Sequence, residues 1–306
     1  MKTLLITGAL GFIGKHFITY FQAKGYRIVA LEHPSLLDSA VNCPCEIFFA
    51  DITIEAELLN LNLPKVDALL HLAGQSSGPR SFLIPEIDLE LNCKGTLNVI
   101  KLCLKFGIKR ILFASSFVVY GNSTAIMLHE GLATQPLSVY ASSKLYAENI
   151  LATYAEPHGI NWNSLRMFNV YGEGQDIKKP DQGIVGIFLN QLIQSPIVNV
   201  KGSINRYRDL VYISDVALAW EAVLESSAYN QAFNVGSGFK TSIKTLITTI
   251  ASLMGMSDVL EIIEVDPSPG DITGACASLD QITKLTGFLP EIHLSEGLSR
   301  MVNYYV

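Results

Sequence analysis

The chain of 306 residues is long enough to form one large domain or two modest ones. Hydrophobic residues make up 49% of it and charged residues only 16%, which favours a filled core and excludes a disordered chain. The formal net charge is −6 and the sequence has no basic tract, so we expect no nucleic-acid partner.

The amino terminus resembles a signal peptide only superficially. Thr7, Gly8 and Gly11 interrupt its apolar run, whereas a signal peptide needs an unbroken one. No apolar stretch in the sequence approaches the length of a membrane span. We therefore expect no association with a membrane and a cytoplasmic location.

The cysteines indicate neither a disulfide framework nor a metal site. They are five in number, and only Cys43 and Cys45 are close together in the sequence. This pair lacks the Cys-x-x-Cys spacing, and neither a histidine nor a second cysteine pair accompanies it. We expect a loop with two reduced thiols and no bound metal.

Short apolar runs alternate with amphipathic stretches through the first half of the chain. The predicted strands are Lys2–Thr7, Arg27–Leu31, Glu46–Phe49, Ala68–Leu72 and Arg110–Ser115. Helices are predicted at Gly14–Lys24 and Leu89–Lys105. Strands that are apolar on both faces and alternate with helices predict an α/β fold, a doubly wound parallel sheet of the Rossmann type.

The alternation weakens after about residue 165. The polar segment Gly172–Gly183 is predicted to be a loop and Arg208–Ile213 a short strand. Helices are predicted at Gly183–Gln194, Thr241–Gly255 and Leu294–Tyr305. We therefore expect a Rossmann domain over residues 1–165 and a smaller C-terminal α/β substrate lobe over residues 166–306, with some segments returning to the first domain.

A glycine-spaced turn directly follows the first predicted strand and opens the first helix. Gly8, Gly11 and Gly14 permit a tight turn and a close approach of the backbone to a pyrophosphate. The helix N-terminus then offers free N–H groups and partial positive charge. We assign these glycines, with Phe12 and Ile13, to a dinucleotide; a plain strand–helix turn is the alternative.

Acidic residues follow the second and third strands. Glu32 is placed to accept hydrogen bonds from the adenosine ribose and would repel a 2′-phosphate, which favours NAD over NADP. A solvated acidic residue in a loop is the alternative. Asp51 and Ile52 are expected to hold the edge and face of the adenine in the same way.

The fourth strand ends in His71, Leu72, Ala73 and Gly74. We interpret His71 as a structural histidine with its hydrogen bonds satisfied, rather than as a catalyst. The small residues that follow it would let the cofactor pass close to the backbone, so Leu72, Ala73 and Gly74 are assigned to the cofactor.

A serine pair and a Tyr-x-x-x-Lys pattern indicate an acid–base site. Tyr140 and Lys144 share one face of a predicted helix, where a neighbouring ammonium favours the phenolate and lowers the tyrosine pKa. Ser115 and Ser116 end the fifth strand, at the sheet edge where ligands bind. Ser116 is expected to relay a proton between the reacting oxygen and Tyr140; a capping serine and a surface Tyr–Lys pair are the alternatives.

Taken together, these residues resemble the extended short-chain dehydrogenase/reductases, in particular the nucleotide-sugar epimerase/dehydratase group. The resemblance covers nearly the whole chain and includes the stretches Asn92–Thr96, Arg166–Gly172, Arg208–Ala217 and Phe233–Gly236. It implies a bound NAD and a catalytic set of Ser116, Tyr140 and Lys144.

The same resemblance implies roles for further residues. Asn92, near the active-site helix, and Ser115 are assigned to the cofactor together with Tyr140 and Lys144. Asn169 and Arg208 are expected to contact the substrate diphosphate, because a guanidinium pairs bidentately with phosphate oxygens. The remaining residues assigned to the substrate are Ser76, Ser116, Asp271 and Cys276.

This sequence departs from the family pattern at two places that bear on function. Phe117 and Val118 stand where the 4,6-dehydratases carry an Asp-Glu pair, so we set dehydration aside. Ser268 stands where similar epimerases usually carry an arginine that helps to hold the diphosphate. In addition, Cys276 aligns loosely with a position that limits the 2-substituent of the sugar, and a small residue there would admit an N-acetyl group.

The sequence favours an NAD-dependent 4-epimerase of a UDP-hexose or UDP-N-acetylhexosamine that acts through a transient 4-keto sugar. The runner-up is an NAD(P)H-dependent 4-keto-sugar reductase or dehydrogenase, and a nucleotide-sensing or scaffold protein is the third reading. Apolar residues beyond one stripe in Leu89–Lys105 and Lys144–Tyr154, including Val99, Leu102, Ile150 and Leu151, favour a homodimer, although burial against the sheet would explain them equally.

Overall fold

A seven-stranded parallel sheet forms the centre of the computed structural model, which describes residues 1–41 and 43–306. Smaller strand pairs accompany this sheet. In chain order, the strands of the described residues, in the central sheet and in these pairs, are β1 (Thr3–Thr7), β2 (Arg27–Glu32), β3 (Glu46–Phe49), β4 (Ala68–His71), β5 (Arg110–Ser116), β6 (Asn161–Met167), β7 (Asn169–Tyr171), β8 (Ile197–Lys201), β9 (Tyr207–Arg208), β10 (Leu210–Tyr212), β11 (Gln231–Val235), β12 (Thr241–Ser242) and β13 (Glu261–Val265). The sheet order is β11-β6-β5-β4-β1-β2-β3, and every pair in it is parallel. The predicted doubly wound sheet is confirmed.

Helices cover both faces of this sheet. They are α1 (Phe12–Ala23), α2 (Glu55–Leu59), α3 (Gly78–Leu83), α4 (Pro85–Ile87), α5 (Gly95–Phe106), α6 (Val139–Ile150), α7 (Ile184–Gln194), α8 (Ile213–Glu225), α9 (Ile243–Leu253), α10 (Asp280–Thr286) and α11 (Leu294–Tyr305). Successive side chains of a strand point to opposite faces. Leu4 therefore packs in the core that holds Phe17 of α1 and Trp220 of α8, whereas Leu5 packs with Val99 of α5.

Two strands of the central sheet carry no clear sequence signal. β6 is polar, yet Asn163 and Ser164 within it are completely buried. The Asn163 amide donates to the carbonyl oxygens of Ala228 and Gln231, at 2.9 Å each, so burial costs little. Because β6 and β11 both come after residue 160, the sheet draws on both halves of the chain.

Two predicted elements are divided in the structure. Leu89–Lys105 begins as a wide π-helical turn over Asp88–Lys94 and becomes an α-helix only from Gly95. The predicted strand Arg208–Ile213 is interrupted at Asp209, whose buried carboxylate accepts from the backbone N–H groups of Ser237, Gly238 and Ala277. With Asp209 held in this way, β9 and β10 pair with different strands, β12 and β7.

The carboxyl ends of β1, β4 and β5 meet at one edge of the sheet, opposite the small strand pairs of the C-terminal part. β10 pairs with β7, β12 with β9 and β13 with β8.

No helix within residues 1–41 and 43–306 is long and apolar enough to cross a bilayer.

Candidate active site

One large chamber, of about 1000 Å³, opens at this edge of the sheet. It collects most of the residues that the sequence assigns to a site: Gly8, Gly11, Phe12, Ile13, Gly14, Leu72, Gly74, Ser76, Ser115, Ser116, Tyr140, Lys144, Asn169, Arg208 and Asp271. Glu32, Asp51, Ile52, Ala73, Asn92 and Cys276 lie behind or beside its walls. The chamber is thus built from both halves of the chain.

The glycine turn has the form that a pyrophosphate site requires. Gly8 has a φ of +68°, and a Cβ there would lie 2.7 Å from the Ala73 nitrogen. A Cβ on Gly14 would clash with the carbonyl oxygen of Gly8. Helix α1 starts at Phe12 with no capping side chain and no acidic residue in its first turn. Its first N–H groups are therefore free for an anion in the chamber.

Glu32 supports this turn from the end of β2. Its carboxylate accepts from the backbone N–H of Leu10 at 2.9 Å and from that of His33 at 3.0 Å. The side chain is buried, which excludes the alternative of a solvated acidic residue. Each carboxylate oxygen keeps a lone pair for a ribose hydroxyl, because a carboxylate accepts about four hydrogen bonds.

The two residues assigned to the adenine differ in their surroundings. Asp51 is half-buried, and its carboxylate accepts from the backbone N–H of Thr53 at 2.8 Å. Ile52 is buried, and its side chain packs over Gly95. Both stay candidates for the adenine end, beside Glu32 and outside the chamber walls.

His71 is a structural histidine, as predicted. Its ring nitrogens lie 2.7 Å from the Thr7 hydroxyl and 3.1 Å from the Thr96 hydroxyl, and the side chain is completely buried. Burial lowers the pKa of His71 to about 3, so the imidazole is neutral at physiological pH.

A buried polar cluster beneath Gly74 was not predicted from the sequence, apart from Asn92. The Asn92 amide oxygen accepts from the backbone N–H of Gln75 at 2.9 Å, and its nitrogen donates to Ser143 and Asp88. Asp88 also accepts from the Gln75 side chain at 2.9 Å. The i, i+4 spacing of Asp88 and Asn92 was the available signal. The cluster fixes α6 to the chamber floor.

Ser116, Tyr140 and Lys144 line the same chamber, and burial shifts the pKa of the tyrosine and of the lysine. Lys144 donates to the Ala114 carbonyl at 2.9 Å, and its nitrogen is 5.9 Å from the centre of the Tyr140 ring. Burial raises the pKa of Tyr140 to about 12, although a hydrogen bond with Ser116 opposes the rise. Burial also lowers the pKa of Lys144 to about 8. In the protein without a cofactor, desolvation is the largest influence on the Tyr140 phenol, and the charge of Asp88 adds to the rise in its pKa. The lowering of this pKa by Lys144 together with the cationic ring of the cofactor stays a prediction.

Ser115 and Ser116 have separate tasks at the end of β5. The Ser115 hydroxyl donates to Glu148, one turn beyond Lys144 on α6. Glu148 in turn forms a buried ion pair with Arg166 of β6, with a shortest distance of 2.6 Å. This chain of contacts holds α6 against the sheet and so sets the position of Tyr140 relative to Ser116.

The opposite wall carries polar groups from the second half of the chain. The Asn169 side-chain oxygen is buried without a hydrogen-bond partner within the described residues, and it is available to a ligand. Arg208 donates to Asp271 at 3.1 Å, and burial lowers the pKa of Arg208 to about 10. Ser76 accepts a hydrogen bond from Gln182. This wall suits an anionic, hydroxyl-bearing ligand.

Two side chains restrict the chemistry of the chamber. Phe117 and Val118 line it beside Ser116, and Phe117 stacks on Phe168 with ring centres 5.1 Å apart. These apolar positions supply no acid or base for elimination of water. Cys276 is buried with its sulfur 3.9 Å from Asp209, and its position next to the sugar 2-substituent stays a prediction.

The residues present fit an NAD molecule. The uncapped N-terminus of α1 suits the pyrophosphate, and the Glu32 carboxylate suits the ribose. Lys144 and Tyr140 both line the same chamber. The five cysteines, in contrast, are all free, and no cluster of three or more metal-ligating side chains occurs in residues 1–41 and 43–306.

Comparisons with known proteins agree with this geometry. The sequence matches the NAD dependent epimerase/dehydratase family over residues 4–236. The UDP-glucose 4-epimerase of Mycolicibacterium smegmatis is 31% identical over 313 residues, which cover 100% of this chain and 98% of that protein. The solved UDP-glucose 4-epimerase of Thermotoga maritima with UDP-glucose has a TM-score of 0.92 and 27% identity, covering 99% of this chain and 98% of that one. The UDP-glucose 4-epimerase of Thermus thermophilus in complex with NAD has a TM-score of 0.88, 28% identity and the same coverage.

Proposed function

Because this chain belongs to the NAD dependent epimerase/dehydratase family, we propose that it is a 4-epimerase of a nucleotide-diphosphate sugar. The observation that carries the proposal is the convergence of Ser116, Tyr140 and Lys144 on one chamber, between the glycine turn and the Asn169–Arg208 wall. The relatives reported above are UDP-glucose 4-epimerases, which supports a UDP-hexose or UDP-N-acetylhexosamine as the substrate.

The side chains divide the proton chemistry among them. The Tyr140 phenolate removes the proton from the sugar 4-hydroxyl, with Ser116 bridging the two oxygens, and later returns it. Lys144 holds the nicotinamide ribose and supports the phenolate electrostatically. Asn169 and Arg208 hold the diphosphate while the 4-keto sugar turns over to present its other face.

When bound, NAD would supply the acceptor for the C4 hydride and afterwards the donor that returns it to the other face of the 4-keto sugar, and its oxidised ring would add a positive charge. The phenol of Tyr140 needs such a charge, because burial keeps its pKa at about 12 in the protein alone. The glycine turn, Glu32 and Lys144 are the residues that would hold the dinucleotide.

Turnover without added cofactor tests the proposal. An epimerase regenerates its NAD in every cycle, so purified protein should interconvert UDP-glucose or UDP-N-acetylglucosamine with its 4-epimer unaided. The nucleotide released by denaturing the same sample should be NAD. Stoichiometric consumption of NADPH with a 4-keto-6-deoxy sugar, and no interconversion, would instead identify the reductase.

Tyr140→Phe separates catalysis from binding. We expect kcat to fall by about 10²–10⁴ with little change in KM, since the ring stays and only the proton acceptor is lost. Tyr146→Phe, on the exposed side of the same helix, is the matched control and should keep wild-type turnover. An unchanged rate for Tyr140→Phe would refute the assigned chemistry, whatever the substrate.

The organisation of the molecule is part of this proposal. Residues 1–165 carry the cofactor and residues 166–306 the nucleotide sugar, apart from the strands that return to the sheet. The protein is a cytoplasmic homodimer. Val99, Leu102 and Leu151 are buried within one chain and do not bear on dimerisation, whereas Leu89 and Tyr146 are exposed and support it.

A further inference from the structure

Two arginines bind the carboxylate of Asp271 at the wall of the chamber. Arg208 donates to one carboxylate oxygen of Asp271 at 3.1 Å, and Arg206 donates to the other. Because both donate to the same carboxylate, the two guanidiniums lie close to each other. Arg208 is accounted for by the proposed diphosphate site, but nothing in that site yet uses Arg206.

Arg206 is held rigidly and still has donors to spare. Its Nε donates to the Ser203 carbonyl at 2.9 Å, and its two terminal nitrogens donate to Lys201 and Asp271. The side chain is only 12% exposed. A guanidinium has five N–H donors, so two remain after these three bonds. A fixed cation with free donors is prepared for a further acceptor.

The free side of Arg206 faces a second cavity that adjoins the chamber. This annex, of about 630 Å³, is lined by Arg206 together with Ser203, Pro267 and Thr273. Leu137, Ser268, Gly270 and Asp271 line both the annex and the chamber. A ligand that reaches Arg208 along this wall therefore comes next to the annex and Arg206.

The charges at this junction do not balance without a ligand. Arg206 and Arg208 contribute two positive charges and Asp271 one negative charge, which leaves one positive charge in a largely buried place. Ser268 is uncharged. A partly buried excess of positive charge is stabilised by an anion, and a nucleoside diphosphate supplies one at this place.

We propose that Arg206 is a second phosphate-binding residue, which holds the nucleotide side of the diphosphate while Arg208 holds the sugar side. Asp271 keeps the two guanidiniums apart and oriented. The assignment rests on the proposed function, because a nucleotide-diphosphate sugar is its ligand.

Titration of the whole protein with UDP, dTDP, GDP and uridine tests this assignment. In Arg206→Gln, the Kd of the tightest diphosphate should rise about 10- to 100-fold, the loss expected for one charge-assisted contact. The Kd of uridine, which has no phosphate, should stay within about twofold. Lys201→Gln is the matched control, because only the backbone carbonyl of Lys201 is used here and its side chain is exposed.

Moving the cation to Ser268 adds an independent test. Ser268→Arg in the Arg206→Gln protein places a guanidinium on a residue that lines both cavities, and diphosphate affinity should recover. Wild-type affinity in Arg206→Gln, an equal loss for uridine and diphosphate, or no recovery in the double variant would overturn the assignment. Arg206-dependent binding in a protein that epimerises no sugar would leave the assignment standing and refute only the proposed reaction.

Discussion

Burial sets the charge state of the key residues in this protein. Tyr140 and Lys144 both lie in the interior, where desolvation favours the neutral form of each side chain. It raises the pKa of Tyr140 to about 12 and lowers the pKa of Lys144 to about 8. Tyr140 therefore stays a neutral phenol below about pH 12, whereas Lys144 keeps most of its positive charge below about pH 8. A positively charged ring beside the pair would favour the phenolate. The sequence identifies both residues, but the free energy of desolvating them depends on their burial in the folded protein.

His71 gives a prediction at the same scale. Its folded pKa of about 3 lies below the usual value of 6.5, so the unfolded chain binds the extra proton first and stability is lost as the pH falls below 6.5. Between about pH 7.5 and pH 5, the wild type should lose about 2 kcal/mol more free energy of unfolding than His71→Gln. Urea denaturation at the two pH values measures it.

His158→Gln, a change at an exposed imidazole, is the control for that experiment and should behave like the wild type. Equal pH dependence in His71→Gln and the wild type would show that His71 is not buried as a neutral ring.

Helix α6 carries both the proposed catalytic side chains and a structural ion pair on one face. Tyr140, Lys144 and Glu148 follow at intervals of four residues, so the helix presents them in line. The first two face the chamber, whereas Glu148 pairs with Arg166 and accepts from Ser115. The ion pair thus joins α6 to β5 and β6, the two strands nearest to the reacting groups.

Removal of one partner of this buried pair should be costly. Glu148→Ala leaves the Arg166 guanidinium buried without its carboxylate, and we expect a loss of about 3–5 kcal/mol in the free energy of unfolding. Glu296→Ala, which breaks the exposed pair with Arg300, should cost far less, because water and salt screen that pair. Chemical denaturation compares the two, and similar small losses would contradict a structural role for the buried pair.

The double variant Glu148→Leu/Arg166→Met refines this comparison. It removes both charges together, so it should be more stable than Glu148→Ala. If the double variant is less stable than Glu148→Ala, the ion pair itself stabilises the fold, beyond avoiding a single unpaired buried charge.

At the scale of the whole molecule, the proposed dimer would need an apolar surface that one chain leaves uncovered. Leu89, at the start of the π-helical turn, and Tyr146 of α6 are 55% and 41% exposed. They lie on neighbouring elements, because α6 packs directly against the Asp88–Lys94 turn. A second copy placed there would bury them without disturbing the chamber.

Charge at this surface should therefore separate the subunits. Leu89→Arg combined with Tyr146→Arg should shift the protein from dimer to monomer in analytical ultracentrifugation, because two buried like charges would face their symmetry mates. Tyr304→Arg, at an exposed tyrosine of α11, should stay dimeric. A wild-type protein that sediments as a monomer at micromolar concentration would refute the proposed dimer.

The sequence by itself determined the class of fold and the family, and it predicted the residues of the chemistry. Apolar runs with glycine punctuation fixed the parallel sheet, and the spacing of Tyr140 and Lys144 fixed their common face, because both signals are local in the chain. Only the tertiary structure decided what these residues experience. The burial of the polar strand β6, the shifted pKa values of Tyr140 and Lys144, and the ion pair of Arg206 with Asp271 all depend on contacts between distant segments. The free energies of these contacts depend on burial and on pairing between distant segments, and no periodic pattern in the sequence indicates either.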